Sequence, residues 1–263
     1  YSGSSVPGQQ ARVRVALKRG VAAHPDDPHF HAGLGGAALD ALGKATEPAA
    51  RRTQAQAAIA HFQAARERAP DSAAAALNLA WVAERAGAAP LAERLCTQAL
   101  DAPAATTGNL LVGARDDPWY AAWRTAMAYG DARVARLHAC AAGRLARQAL
   151  ARGDAAAAAD HAARCVQLDD HIGAAYTLQA RAWAARGQLD AAREAADAGL
   201  PKTALDIDHR LLTADLRART GDTDGARALL HETRHICAAW PAAEALGQRC
   251  VDALRALDEA ASA

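Results

Sequence analysis

The sequence predicts an all-α protein, a right-handed α-solenoid of antiparallel helical hairpins with an irregular centre and a C-terminal capping helix. Gly153, Gly187 and Gly221 are each separated by 34 residues from the next. Alanines recur at the same 34-residue spacing on both sides of these glycines. Ala146, Ala180 and Ala214 precede them, and Ala158, Ala192 and Ala226 follow them. The chain is 51% hydrophobic but only 4% aromatic. This composition favours closely packed helices over a β-sandwich rich in aromatic and branched side chains.

The repeated step has a mechanical explanation. We expect residues 174–186 to form the first helix of a hairpin and residues 190–198 the second, with Gly187 adopting the left-handed conformation between them. Helices whose axes lie about 8–10 Å apart need small residues where they cross, and here these are Ala180 and Ala192. One such hairpin cannot bury its own apolar face, so the hairpins must stack on their neighbours.

A period of 34 residues with these alanines and glycines resembles the tetratricopeptide repeat, and the composition is typical of a bacterial protein. The resemblance implies that first-helix residues line a concave face that binds another protein. Arg147 and Arg181 lie one period apart, so they suit carboxylates on an acidic peptide segment or helix. The predicted partner-binding residues are Asn78, Trp81, Arg85, Arg147, Arg181, Asp215 and Arg219.

The N-terminal part divides into a linker over residues 1–8 and repeats over residues 9–103. A helix over residues 9–23 precedes the first hairpin. The hairpin's first helix, residues 30–42, is expected to end at Gly43, and a long loop then leads to a second helix over residues 55–69. Asp71 is expected to cap the next helix, with Gly87 at the following turn.

The middle and the C-terminal part complete the scheme. Residues 104–138 are an irregular helical segment, followed by three tandem repeats over residues 139–240 and a capping helix with its tail over residues 241–263. We expect a continuous helix from Asp131 to Arg152. Aromatic residues crowd the irregular segment, where they either fill a gap in the stacking or anchor a partner: Trp119, Tyr120, Trp123 and Tyr129.

Charge, hydrophobicity and cysteine content indicate which partners and which cellular compartment to expect. A net charge of +1, from 30 basic and 29 acidic side chains, gives no global attraction to nucleic acid, so no nucleic-acid partner is expected. No apolar run approaches the roughly 18 residues of a membrane span. The five cysteines form no CxxC motif, which favours buried thiols in the cytoplasm. If the protein is instead periplasmic after removal of a signal or anchor, Cys140 and Cys165 are the expected disulfide.

One sequence motif raises the possibility of zinc chemistry. Residues 231–235 read HETRH, and two histidines four residues apart on a helix share a face that can bind zinc. Arg234 and the lack of a third ligand argue against it, and the histidines at 24, 29 and 31 lack a fixed acidic or thiol ligand. We therefore predict no catalytic residue, metal or cofactor, and a non-enzymatic scaffold. The alternatives are a fixed subunit of a bacterial envelope or secretion complex, or a zinc-dependent hydrolase.

Overall fold

The computed structural model describes residues 9–103, 110, 133–203, 205–239 and 243–262. Within these residues the regular structure is entirely helical, with no strand. The α-helices are α1 (Gln9–Ala23), α2 (Pro28–Lys44), α3 (Pro48–Arg68), α4 (Ala73–Arg85), α5 (Ala89–Asp101), α6 (Arg133–Ala151), α7 (Ala155–Leu168), α8 (Gly173–Ala185), α9 (Leu189–Gly199), α10 (Ile207–Arg219), α11 (Thr223–Ala238) and α12 (Glu244–Ser262). A 3₁₀ turn, Leu200–Lys202, follows α9.

The chain forms two compact units, residues 1–145 and residues 146–263. The division falls inside α6, which is one continuous helix over Arg133–Ala151, close to the span expected from the sequence. The first unit contains the hairpins α2–α3 and α4–α5, and the second contains α8–α9 and α10–α11. The finer division into five segments stays a prediction.

The repeated turn has one geometry in both units. Gly87, Gly153, Gly187 and Gly221 have φ of 75°, 79°, 75° and 91°. In each turn, the residue after the glycine donates its backbone N–H to the carbonyl five residues earlier, at 2.8 to 3.0 Å. This bonding pattern terminates a helix with a left-handed residue, which glycine adopts without a Cβ penalty. The predicted role of the recurring glycine is confirmed.

The predicted helix crossing is also confirmed. Ala180 of α8 and Ala192 of α9 are both fully buried, in a cluster that includes Leu216 of α10. Trp183 and Leu189 are partly buried against this cluster. Two small residues therefore allow the backbones of α8 and α9 to approach, while the larger side chains fill the space around the contact.

The first hairpin departs from the boundaries predicted from the sequence. Gly43 does not end α2, which continues to Lys44, and α3 begins at Pro48 rather than residue 55. The expected long loop is therefore only three residues, because residues 48–54 continue the helix. Ser72, not Asp71, caps α4, since its hydroxyl accepts the N–H of Ala75 at 3.3 Å.

The C-terminal helix α12 has the amphipathic character of a cap. Leu254 and Leu257 pack against a buried cluster that contains Leu229 and Leu230 of α11. The opposite face carries exposed charged residues: Arg249, Asp252, Arg255 and Asp258. Such a polar outer face is what the last helix of a stacked array needs. None of the described helices combines the length and the apolar character needed to cross a bilayer.

Candidate partner-binding surface

The second unit carries a row of exposed charged side chains at the repeat spacing. Arg147 in α6, Arg181 in α8 and Asp215 in α10 are each 34 residues apart, and all three are exposed. The residue on each side of every one of them is buried: Ala146, Gln148, Ala180, Ala182, Ala214 and Leu216. Each helix thus buries its neighbouring positions and presents one charge outward. We call Arg147, Arg181, Asp215 and Arg219 the charged row.

The members of the charged row differ in their ion pairs. Arg219 and Asp215 pair with each other at 3.3 Å, four residues apart on α10. Arg181 makes no ion pair with any residue in the described part of the chain. Since the pair on α10 is neutral overall, that end of the row adds no net charge. Arg181 therefore presents an exposed positive charge on α8.

A buried histidine forms hydrogen bonds between the helices that carry Arg181 and Asp215. His209 of α10 is fully buried, and its Nε2 lies 2.8 Å from the carbonyl oxygen of Ala196 in α9. Because a carbonyl only accepts, Nε2 carries the proton, and Nδ1 accepts from the Thr177 hydroxyl of α8 at 2.8 Å. Burial lowers the pKa of His209. The hydrogen bonds of this neutral imidazole therefore link α8, α9 and α10. Its partner Thr177 lies one helical turn before Arg181.

A second buried network explains the HETRH segment. Arg210 of α10 is 5% exposed, and it donates to the Thr233 hydroxyl at 3.0 Å and pairs with Glu232 at 2.7 Å. His231 and His235 are exposed on the outer side of α11. The glutamate that a zinc hydrolase would use as a base is thus committed to an arginine, and the zinc-dependent alternative is not favoured.

In the first unit, most of the predicted partner-binding residues are buried. Trp81, expected to face outward, is only 5% exposed, and Asn78 is 1% exposed. The Asn78 amide donates to the carbonyl of Leu110 at 2.6 Å. Arg85 is exposed, with its guanidinium 4.7 Å from the centre of the Trp81 ring. The expectation that Trp81 points outward is corrected, because α4 is covered on every side from Ala73 to Ala83.

Sequence reasoning missed the buried charged residues. Arg144 of α6 is 5% exposed and pairs with Glu84 of α4 at 2.7 Å. It stands at the position where the next two repeats have Leu178 and Leu212, and His209 likewise stands where the preceding repeat has Ala175. A charged or polar residue that interrupts an apolar position of the repeat was the available signal. Such a residue must find a buried partner.

The other groups considered for metals have local partners. His29 Nδ1 lies 2.8 Å from Asp27, His24 stacks on Phe30, and the Nε2 of His31 lies 3.1 Å from the carbonyl of Pro25. The three rings therefore do not converge on one point.

The turn after α7 holds Asp169, Asp170 and His171, whose ligand atoms lie within 4.8 Å of one another. Asp170 pairs there with His171 at 2.7 Å and with Lys202 at 3.2 Å. The hydrogen bond from Lys202 lowers the pKa of Asp170. Asp170 and His171 are exposed and paired with each other, so these residues form a surface network and not a built metal site.

Two further expectations concern cysteines and aromatic residues. All five cysteines are buried and none is in a disulfide, Cys140 and Cys165 included. The aromatic residues of the irregular segment lie outside the described residues, and their two interpretations stay predictions.

Comparisons with known proteins agree with the fold. No family model and no curated protein matches the chain. Among solved structures, it is similar to YrrB, a TPR protein with an unusual peptide-binding site, with a TM-score of 0.52, 15% identity and coverage of 90% of this chain and 98% of that one. A double mutant of MamA RS-1 gives 0.53 with 13% identity, covering 78% and 97%.

A third similar structure is human IFIT1, as a dimer with m7Gppp-AAAA. The TM-score is 0.51 with 12% identity, and the match covers 87% of this chain but only 49% of the IFIT1 chain. At these identities the likenesses speak for the fold alone. Together with the repeated turn and the alanine crossing, they show that the chain has the tetratricopeptide repeat fold, an α-solenoid of helical hairpins.

Proposed function

We propose that the protein is a non-enzymatic scaffold whose charged row binds an acidic segment of another protein. The observation that carries this proposal is the pair of exposed arginines at one repeat position, Arg147 and Arg181. Guanidinium groups that repeat along stacked helices can engage successive carboxylates, each through paired N–H donors. Arg181 is available for this because it has no ion pair among the described residues.

A peptide partner fits this surface better than RNA. Only two arginines of the row, Arg147 and Arg181, lie outside the neutral pair Asp215–Arg219. The net charge of the chain is only +1, whereas binding to a nucleic-acid backbone relies on many cations that displace its counterions. The peptide-binding site of YrrB and the RNA bound to IFIT1 belong to those proteins. The test therefore includes both acidic peptides and an RNA oligonucleotide.

The test reverses the two arginines together. In Arg147→Glu/Arg181→Glu, a carboxylate of the partner meets repulsion instead of attraction, so the affinity for acidic peptides should fall at least about tenfold. A matched control reverses two exposed arginines on second helices, Arg164→Glu/Arg234→Glu, which changes the net charge equally. Fluorescence anisotropy with labelled peptides and their Asn/Gln counterparts measures both variants, and thermal melting confirms that each remains folded.

Three results would contradict the proposal. Equal loss of affinity in the two variants would mean that only net charge matters. Binding of the Asn/Gln peptides as tightly as the acidic ones would remove the charge argument. Tighter binding of a single-stranded RNA oligonucleotide than of any acidic peptide would assign the surface to nucleic acid. The alternative of a fixed assembly subunit predicts instead a stoichiometric partner that co-purifies and survives 1 M salt, where surface ion pairs are screened.

A further inference from the structure

Two cysteines meet where the capping helix packs on the helix before it. Cys237, near the end of α11, is 3% exposed, and Cys250, in α12, is fully buried. A Cβ placed on Gly247 of α12 would lie 3.3 Å from the Cβ of Cys237, so the absence of a side chain there lets the helices approach. Cys250 follows Gly247 by three residues and lies on the same helix face.

The two thiols lie in the same contact between α11 and α12. The Cys250 thiol donates to the carbonyl oxygen of Leu246, one turn earlier, with its Sγ 3.5 Å from that oxygen. Burial raises the pKa of the Cys250 thiol, and the adjacent Cys237 thiol, which shares a hydrogen bond with it, raises it further. Leu246 itself packs on the buried cluster that contains Cys237. Packing of α12 on α11 therefore places both cysteines in one contact between these helices.

We propose that Cys237 and Cys250 form a dithiol that a small-molecule disulfide of the glutathione class oxidises to a disulfide, which links α12 covalently to α11. One thiolate attacks the small disulfide, forms a mixed disulfide and releases one small thiolate. The second thiolate then attacks the protein sulfur and displaces the second small thiolate. Two protein thiols are oxidised, one small disulfide is reduced to two thiols, and the protons pass to the released thiolates.

The link would fix the position of the cap. It closes a loop of the twelve residues between the two cysteines, which restricts the unfolded chain and stabilises the folded one. Arg249, next to Cys250, pairs with Asp208 of α10 at 2.6 Å, so the linked helix also contacts α10. Because both sulfurs are buried, exchange requires α12 to open, and we expect it to be slow and to quicken as the pH rises.

Oxidised glutathione added to the reduced protein tests the proposal. After excess alkylating reagent is added in denaturant, intact mass should show three modified cysteines instead of five, and peptide mapping should show Cys237 joined to Cys250. The melting temperature should rise by several degrees on oxidation and return on reduction. Five alkylated cysteines, a stable mixed disulfide with glutathione, or a link between other cysteines would overturn the proposal.

Single substitutions separate this pair from the other buried thiols. Cys250→Ala should abolish both the link and the rise in melting temperature, whereas the control Cys96→Ala, also at a fully buried cysteine, should retain both. A rise of the same size in oxidised Cys250→Ala would contradict the proposal. The measurements on the unsubstituted protein stand even if one variant folds poorly.

Discussion

The two compact units achieve close helix packing with different residues. In the second unit, an alanine of α8 meets an alanine of α9, Ala180 against Ala192, both fully buried. In the first unit, α2 and α3 meet through a glycine and an aromatic ring, since a Cβ on Gly35 would lie 2.5 Å from the fully buried ring of Phe62. In the second unit the helices approach because both contact residues are small. In the first unit they approach because a large ring lies against a residue that has no side chain. The same fold therefore tolerates opposite side-chain solutions, provided that the summed volume is conserved.

The largest effect is expected at the glycine and ring contact of the first unit. Phe62→Ala should lower the free energy of unfolding by about 3–5 kcal/mol, because it leaves a cavity in a fully buried site. Chemical denaturation measures this change. A second substitution, Gly35→Ala, tests whether the two residues are coupled. It should destabilise the natural chain but be neutral or stabilising in the Phe62→Ala variant. If Gly35→Ala has the same effect in both backgrounds, the two residues are not coupled and the contact is misassigned.

A smaller effect is expected at the alanine crossing of the second unit. Ala180→Leu should lower the free energy of unfolding by about 1–3 kcal/mol, since the added carbons overpack the contact with Ala192. Ala185→Leu, on the same helix but exposed, is the matched control and should stay within about 0.5 kcal/mol of the natural chain. Equal stability of the two variants in urea titrations would show that α8 does not approach α9 through Ala180.

The turns give a third comparison, between two glycines of different conformation. Gly187 has a φ of 75°, with open space where a Cβ would lie, so Gly187→Ala should cost about 1 kcal/mol through backbone strain alone. Gly43 also has open space around it but lies within α2. Gly43→Ala should therefore stabilise the protein by about 0.5–1 kcal/mol. A Gly187→Ala variant as stable as the natural chain would exclude the left-handed turn.

The smallest change is expected from mild acidification, through one histidine in each unit. Burial lowers the pKa of His61 in the first unit and of His209 in the second. The unfolded chain, with an ordinary pKa near 6.5 for these groups, then binds more protons than the folded chain. The stabilisation is complete above about pH 6.5 and is lost as the pH falls below it. Thermal melting from pH 8 to 5 should show this loss, and His61→Gln should reduce it; an unchanged slope would contradict the assignment.

The regular part of the fold was predictable because physics ties it to particular residue types. A left-handed turn selects glycine and a close crossing selects alanine, so Gly187, Ala180 and Ala192 identify the repeat directly. The first hairpin was harder. There the packing of Gly35 on Phe62 departs from the alanine pattern, and residues 48–54 contain no residue that excludes either a loop or a helix.

The candidate surface was predictable only in part. Spacing placed Arg147, Arg181 and Asp215 correctly on the outside, because exposure of one position per repeat follows from helix periodicity. Trp81 was misplaced, since the repeat pattern does not reveal that a helix such as α4 is covered on every side. Pairings between distant charges, such as Arg210 with Glu232, depend on side-chain geometry that no local pattern encodes.

We expect the charged row of the second unit to bind an acidic segment of another protein. Hydrogen exchange of the full chain, with and without the tightest-binding acidic peptide, tests it most directly. We expect slower exchange on α8 and α10, around Arg181 and Asp215, and no change on the outer face of α11 around His231 and His235. Slowing confined to the first unit or to α11, with α8 and α10 unchanged, would contradict the account.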